Sequence, residues 1–196
     1  VIRLCLLCLT MQLLATVDSR AQVSIEPEAQ PLSIKTPGYS ARVEPDGCLT
    51  NLTVAGMQFL APGVSISRGS YFFLNGPLEL PEIKQLEDSV IEASGKEAAI
   101  RYEFGDHELR WRLTNKADQE MVFFIVFNGY VGAAVLPDGE IQRTPLVGEH
   151  SQAKFFLGKS TLSVAGFEKL WGPWQGPHQV VQTSLQPGAE KTLTLT

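Results

Sequence analysis

Cysteine is scarce in this sequence. Of its three cysteines, Cys5 and Cys8 lie within the first ten residues, and the rest of the chain keeps only Cys48. This excludes a disulfide framework and a cysteine-based zinc site beyond the N-terminal segment. Cys48 follows Gly47 at the start of an apolar run, so we expect a small buried hydrophobic residue rather than a reactive thiol.

Basic clusters and cofactor motifs are also absent. The chain has 16 Lys and Arg against 21 Asp and Glu, a net charge of −5, and its basic residues form no run. This argues against duplex nucleic acid and anionic lipid as partners. The sequence contains no Gly-x-Ser-x-Gly elbow and no glycine-rich phosphate loop, so we predict neither nucleophilic catalysis nor a cofactor.

The N-terminal segment has the pattern of a secretory signal. Arg3 precedes an apolar run over residues 4–17, and Ser19 and Ala21 place small residues at −3 and −1 of a cut after Ala21. We predict a signal peptide over 1–21, a secreted or periplasmic location, and no stable membrane span after cleavage, because the run is short for a bilayer. An uncleaved N-terminal anchor is the alternative. Residues 22–31 are expected to form a short linker, and 32–196 a single domain.

Long helical periodicity is missing from the remainder. Twelve prolines and seventeen glycines separate short segments that alternate apolar and polar residues. "HELRWRLT" is typical, with Leu109, Trp111 and Leu113 on one face. We count twelve to fifteen segments of this kind and predict an all-β fold, a large antiparallel two-sheet sandwich with little helix. The large aromatic residues expected in its core are Trp111, Phe123, Phe124, Phe127, Phe155 and Phe156.

Two segments depart from this alternation. "LPEIKQLEDS" fits either a short helix or a strand. "EMVFFIVF" is almost entirely apolar, which is typical of a strand covered on both faces.

Three segments, taken in order, resemble the galactose-mutarotase-like (aldose-epimerase-like) supersandwiches. They are the opening hairpins "YSARVEPDGCLTNLTVAGMQFL", the central "HELRWRLTNKADQEMVFFIVFNG" with its Thr-Asn turn, and the closing "HQVVQTSLQPGAEKTLTLT" with its Pro-Gly turn. The resemblance implies a two-sheet sandwich and, in the epimerases, a His acid and a Glu base that face O5 and O1 of a sugar. None of His107, His150 and His178 sits in a stretch that resembles the catalytic motif of that family. We therefore expect a shortened, non-catalytic relative.

The stretch "EKLWGPWQGPHQVV" is a candidate ligand-binding loop. Trp171 and Trp174 stand among glycine and proline, followed by Gln175 and His178. Exposed indole rings offer flat apolar faces for sugar C–H bonds, and the amide and imidazole offer hydrogen bonds. The competing interpretation is that at least one tryptophan closes an end of the sandwich core, since tryptophan is usually mostly buried.

Other polar clusters are candidates for catalysis or for metal binding. Glu149 and His150 form an adjacent acid–imidazole pair. We expect a solvated loop pair there, with an acid–base couple as the alternative. Asp106, His107 and Glu108 together with the two Pro-Asp-Gly turns are interpreted as hairpin tips, so no metal site is predicted. Asn51 begins a formal glycosylation sequon.

These patterns lead to three functional hypotheses. The first is an exported carbohydrate-binding or structural domain without catalysis. The second is a sugar-active enzyme of the aldose-epimerase type that uses Glu149, His150 or His178. The third is a protein–protein interaction module that pairs through its sheet edges.

Overall fold

Antiparallel strands joined by turns make up most of the regular structure, as the glycine and proline spacing predicts. The computed structural model describes residues 22–24, 31–60, 71–73, 80–135, 141–142, 148–172 and 178–196. The predicted signal peptide and most of the predicted linker lie outside these ranges. Within that linker, however, residues 22–24 form a strand.

Nineteen strands are described. In chain order they are β1 (Gln22–Ser24), β2 (Leu32–Lys35), β3 (Tyr39–Val43), β4 (Leu49–Val54), β5 (Met57–Gln58), β6 (Tyr71–Phe73), β7 (Glu82–Glu87), β8 (Val90–Ser94), β9 (Ala98–Phe104), β10 (Leu109–Asn115), β11 (Met121–Phe127), β12 (Tyr130–Val135), β13 (Ile141–Gln142), β14 (Gly148–Glu149), β15 (Gln152–Leu157), β16 (Ser160–Ala165), β17 (Lys169–Trp171), β18 (Gln179–Leu185) and β19 (Glu190–Leu195). This exceeds the predicted number because six of the strands contain only two or three residues.

The strands form three antiparallel sheets. One has nine strands in the order β13-β12-β15-β16-β19-β10-β9-β8-β7, and a second has five in the order β14-β17-β18-β11-β6. The N-terminal strands form a third sheet, β1-β2-β3-β4-β5. The predicted all-β sandwich is confirmed, and "LPEIKQLEDS" contributes the edge strand β7 rather than a helix. Within the described ranges, the chain has no helix able to cross a membrane.

Alternation along the strands builds the core that all three sheets share. In β9 and β10 every second residue is buried, which places Tyr102 and Trp111 opposite each other with their rings edge to face at 5.8 Å. Trp111, Phe123, Phe127 and Phe155 are buried as predicted. Cys48 is buried within the same apolar cluster, which confirms the expectation for this residue.

Two of the predicted core phenylalanines are not in the core. Phe156 is 40% exposed because it alternates with the buried Phe155 along β15 and so faces outward. Phe124 is half-buried on the outer face of β11. The prediction that β11 is covered on both faces therefore holds only at its C-terminal end, from Ile125 to Phe127.

The predicted turns position these strands. At Pro45-Asp46-Gly47 the Asp46 carboxylate accepts a hydrogen bond from the Cys48 N–H at 3.0 Å, and Gly47 adopts a φ of 81°. The Tyr102 hydroxyl also donates a 2.8 Å hydrogen bond to the Gly47 carbonyl. A Cβ at position 47 would lie 2.7 Å from Leu80 Cβ, so this position requires glycine for its conformation and for its packing.

Candidate functional site

An exposed indole ring marks the outer face of the sheet β14-β17-β18-β11-β6. Trp171 ends strand β17 and is 45% exposed, whereas Leu170 beside it is buried in the core. The indole Nε1–H donates a 2.9 Å hydrogen bond to Oε1 of Gln182 on β18. This bond restricts the orientation of an indole whose residue is almost half exposed.

The strand register shows which residues share the face with Trp171. In an antiparallel ladder, paired residues project to the same side of the sheet. Lys169 pairs with Gln182 and also with Glu149, and Gln182 pairs with Phe124. The outer face therefore carries an indole, an amide, a half-buried phenyl ring and a pair of opposite charges at the β14 edge.

The sequence-predicted neighbours of Trp171 are only partly described. Trp174 and Gln175 lie outside the described residues. His178 directly precedes β18 and is half-buried, and its Nδ1 is buried without a hydrogen-bond partner among the residues described. Of the four predicted ligand-binding residues, Trp171 is thus the one whose ring is described as exposed on this face.

Glu149 and His150 differ from the expected solvated pair. Glu149 is exposed at the end of β14, but His150 is only 4% exposed, and its backbone N–H donates to the Glu168 carbonyl at 3.1 Å. Both imidazole nitrogens are buried and form no hydrogen bond within the described part of the chain. The pair lines a cavity of about 400 Å³ with Ser151, Phe167, Glu168 and Lys169.

Glu168 is a residue of this region that the sequence did not reveal. Its carboxylate accepts hydrogen bonds from the Ser184 N–H at 2.9 Å, the Thr183 hydroxyl at 3.2 Å and Lys191 Nζ at 3.2 Å. Burial by itself raises the pKa of Glu168, but these donors outweigh it and hold the pKa below its usual value. No local motif marks this acid, because its partners come from β18 and β19.

The remaining sequence candidates have structural roles in the fold. His107 packs against Gly38, and the Asp106 carbonyl accepts hydrogen bonds from the Gly38 N–H and the Thr36 hydroxyl. Asn51 Oδ1 accepts a hydrogen bond from Gln58 Nε2. The Pro137–Glu140 turn lies outside the described residues. Across the ranges that the structure covers, no three His, Cys, Asp or Glu side chains are grouped to hold a metal ion.

Comparison with known proteins finds similarity in structure and none in sequence. No protein-family model matches the chain, and no curated protein matches its sequence. A putative aldose 1-epimerase from Escherichia coli K12 aligns with a TM-score of 0.56 at 11% identity, over 83% of this chain and 96% of that one. A galactose mutarotase related enzyme from Lactobacillus acidophilus aligns with a TM-score of 0.57 at 10% identity, over 85% and 96%.

A third solved structure supports the same fold. The Slr1438 protein from Synechocystis sp. PCC 6803 aligns with a TM-score of 0.54 at 14% identity, over 89% of this chain and 98% of that chain. At such identities the likeness establishes the fold alone. The galactose-mutarotase-like sandwich that three sequence segments resembled is confirmed at that level.

Proposed function

We propose that this galactose-mutarotase-like sandwich is a carbohydrate-binding protein without catalysis, and that Trp171 is its stacking platform. The single observation that carries the proposal is the exposed indole of Trp171, held by its hydrogen bond to Gln182 on an outward sheet face. The sugar-related descriptions of the E. coli and L. acidophilus structures support the choice of ligand class.

The chemistry of this face favours a saccharide. The axial C–H groups of a pyranose present a weakly positive surface, which the negative face of an indole attracts. Binding is also helped because the Gln182 hydrogen bond already orders the ring, so that less side-chain entropy is lost when a ligand binds. The neighbouring Gln182 amide and Lys169 ammonium can form hydrogen bonds with hydroxyl groups at the rim of the ring.

The absence of catalysis is the second part of the proposal. Epimerisation at a sugar carbon needs an acid and a base within hydrogen-bond reach of the reacting groups. In the described part of the chain, the His150 ring nitrogens and His178 Nδ1 make no hydrogen bond to a carboxylate. None of these three nitrogens is therefore oriented by an acid, as the sugar-active enzyme would require of its catalytic imidazole.

The third part of the proposal is export. It is supported by the pattern of residues 1–21, where an early arginine, an apolar run and small residues before position 22 are combined. Expression of the chain with this segment in a Gram-negative host, followed by fractionation and N-terminal sequencing, tests it. We expect a periplasmic product that begins at Gln22. A product that keeps residues 1–21 in the membrane fraction would support the anchor instead.

Titration calorimetry tests the binding proposal. The probes are galactose-based and glucose-based mono- and oligosaccharides. We expect Trp171→Ala to weaken the tightest interaction by about tenfold or more, as truncation of a central tryptophan commonly does. Phe156→Ala is the matched control, because Phe156 is a similarly exposed aromatic residue on a different sheet. Equal losses in the two variants, or no binding to the wild type, would refute the proposal.

The same sugars test the absence of catalysis. Polarimetry of freshly dissolved α-galactose and α-glucose should show the same rate of anomer exchange with and without the protein. Acceleration that disappears in His150→Ala or His178→Ala would instead establish the enzyme hypothesis.

A further inference from the structure

A second cavity lies between the N-terminal sheet and the nine-stranded sheet, with a volume of about 140 Å³. Most of its lining consists of apolar side chains from the facing sides of the two sheets. These are Tyr39, Leu52 and Val54 on the N-terminal sheet and Leu109, Leu162 and Leu195 on the nine-stranded sheet. Five of the six are buried, and Val54 is half-buried. The cavity therefore reaches into the apolar core.

The lining offers few partners to water or to a charged ligand. The residues that line the cavity, all in the described part of the chain, include no Asp, Glu, Lys or Arg. The Tyr39 hydroxyl donates a 3.1 Å hydrogen bond to the Glu108 carbonyl and so is already paired. A buried water molecule typically needs about two to four polar partners, whereas an apolar cavity of about 150 Å³ stays dry and can bind benzene. The lining thus favours an apolar group about the size of benzene.

Hydrogen bonds around the cavity keep its walls apart. The Thr36 N–H donates to the Tyr39 carbonyl at 2.9 Å, and the Tyr39 N–H donates to the Thr36 hydroxyl at 3.0 Å. With the bond from its own hydroxyl to Glu108, Tyr39 is held at both its backbone and its ring, so the ring cannot swing into the gap without breaking a bond. Gly38, which also lines the cavity, has no room for a side chain against Asp106. A cavity that is formed in advance binds a ligand at a lower entropic cost.

Two exposed residues, His107 and Thr196, also line the cavity and mark the side on which it opens to solvent. The His107 imidazole can take part in hydrogen bonds through its ring nitrogens. A ligand whose ring enters the cavity can keep a polar group at this opening, in reach of water and of His107. That group then escapes the cost of being buried without a partner.

We propose that this cavity binds a small molecule with one aromatic ring and one polar group. The ring lies among Leu109, Leu162 and Leu195, and the polar group lies at His107. The proposal is independent of saccharide binding, because Trp171 is on the outer face of a different sheet.

Nuclear magnetic resonance of the leucine methyl groups tests the site, with benzene and phenol as probes. We expect saturable shifts of the Leu109, Leu162 and Leu195 methyl signals, with a Kd for benzene of about 1 mM or tighter. Nuclear Overhauser contacts should join the benzene protons to the same methyl groups. Leu113, which is buried on the same strand as Leu109 but does not line the cavity, should not shift. No saturable shift up to the solubility limit of benzene, or contacts to other side chains only, overturns the proposal.

A substitution that fills the cavity tests it in a second way. The phenyl ring of Val54→Phe should occupy the space and weaken benzene binding by about tenfold or more. Ile83→Phe is the matched control, because Ile83 is likewise half-buried against the core but lies on β7, away from the cavity, and it should change the affinity by less than about twofold. Thermal melts verify folding, and Leu162→Phe replaces Val54→Phe if the latter does not unfold cooperatively. Unchanged benzene affinity in a folded variant of this kind overturns the proposal.

Phenol tests the opening of the cavity. We expect phenol to bind the wild type at least as tightly as benzene does, because its hydroxyl group keeps a partner. His107→Ala should weaken phenol binding by about threefold or more and change benzene binding by less than about twofold. Rejection of phenol by the wild type, or equal phenol affinities in the wild type and His107→Ala, overturns the role given to His107. None of these results depends on whether a saccharide binds at Trp171.

Discussion

A buried asparagine connects two of the sheets. Asn115 ends β10, and its Nδ2 donates to the carbonyls of Gln119 at 2.8 Å and Leu185 at 2.9 Å. Its Oδ1 accepts a hydrogen bond from the Ala117 N–H at 2.9 Å. The side chain thus fixes the turn after β10 and ties it to the end of β18.

Removal of this amide should be costly. Asn115→Ala leaves buried backbone groups without partners, and we expect the free energy of unfolding to fall by about 2–3 kcal/mol. Urea denaturation measures the loss. Thr114→Ala is the neighbouring control, because its hydroxyl makes only an exposed contact with Glu190, and its effect should stay within about 0.5 kcal/mol. Similar losses of unfolding free energy in the two variants would show that the hydrogen bonds of Asn115 do not stabilise the link between β10 and β18.

Glu168 links stability to pH in a defined direction. Its pKa is lowered in the folded state, so its stabilising contribution is present above the unfolded pKa of about 4.3 and is lost as the pH falls through the folded value. The group is partly exposed, so solvent screening limits this contribution to about 1 kcal/mol.

The Glu168 linkage is measured by thermal melts between about pH 7 and pH 2. Glu168→Gln should lower the melting temperature at neutral pH and differ progressively less from the wild type as the solution is acidified through the pH range below about 4. Glu92→Gln, at a half-buried position on β8, is the control for a general charge effect. A constant difference at every pH would mean that Glu168 acts through its shape and not through its charge.

At the scale of elements, the N-terminal sheet docks through a tight turn. The Gly38 N–H donates to the Asp106 carbonyl at 2.8 Å, and the Thr36 hydroxyl donates to the same carbonyl at 3.0 Å. This joins the β2–β3 turn to the β9–β10 turn. A Cβ at position 38 would lie 2.7 Å from the Asp106 carbonyl oxygen and 2.5 Å from His107 Nδ1.

Gly38→Ala should therefore loosen the junction between these two turns. Because a backbone oxygen is among the atoms that collide, we expect a loss of about 1–3 kcal/mol, measured by urea denaturation. Hydrogen exchange should speed up mainly in β2 and β3. Ser40→Ala, in the following strand, is expected to stay within about 0.5 kcal/mol. An unchanged Gly38→Ala protein would show that the turn can move away without cost.

The edges of the sheets bear on the protein–protein hypothesis. Strand β7 borders the nine-stranded sheet and is mostly exposed, with Glu82, Lys84 and Glu87 among its residues. Charged side chains on an edge strand oppose the addition of another strand. Pairing through this edge is accordingly disfavoured, and partner binding elsewhere stays a prediction.

Strand periodicity was the part of the fold that the sequence predicted best. In β10 the alternation of Leu109, Trp111 and Leu113 with polar residues leaves one possible inward face. Phe155 and Phe156 are adjacent, so alternation requires one of them to face outward, but the local sequence cannot tell which. The burial of Phe155 is decided by the sheet packed over it, which is a tertiary contact.

At the scale of the whole molecule, the candidate site was only partly predictable. Trp171 was identified because glycine and proline around it favour exposure. The cavity lined by Glu149, His150 and Lys169 was not, because these residues meet only when β14 pairs with β17. A two-residue strand such as β14 has no detectable periodicity. The donors to Glu168 likewise come from two other strands, out of reach of any local motif.

The most direct test of the central claim is a nuclear magnetic resonance titration of the indole N–H signals with cellotriose and galactotriose. We predict a saturable shift of the Trp171 Nε1–H resonance, while the resonance of Trp111, which is fully buried in the core, stays in place. A Trp171 signal that does not move at saturating saccharide, or saccharide binding that perturbs only other surfaces, would contradict the account.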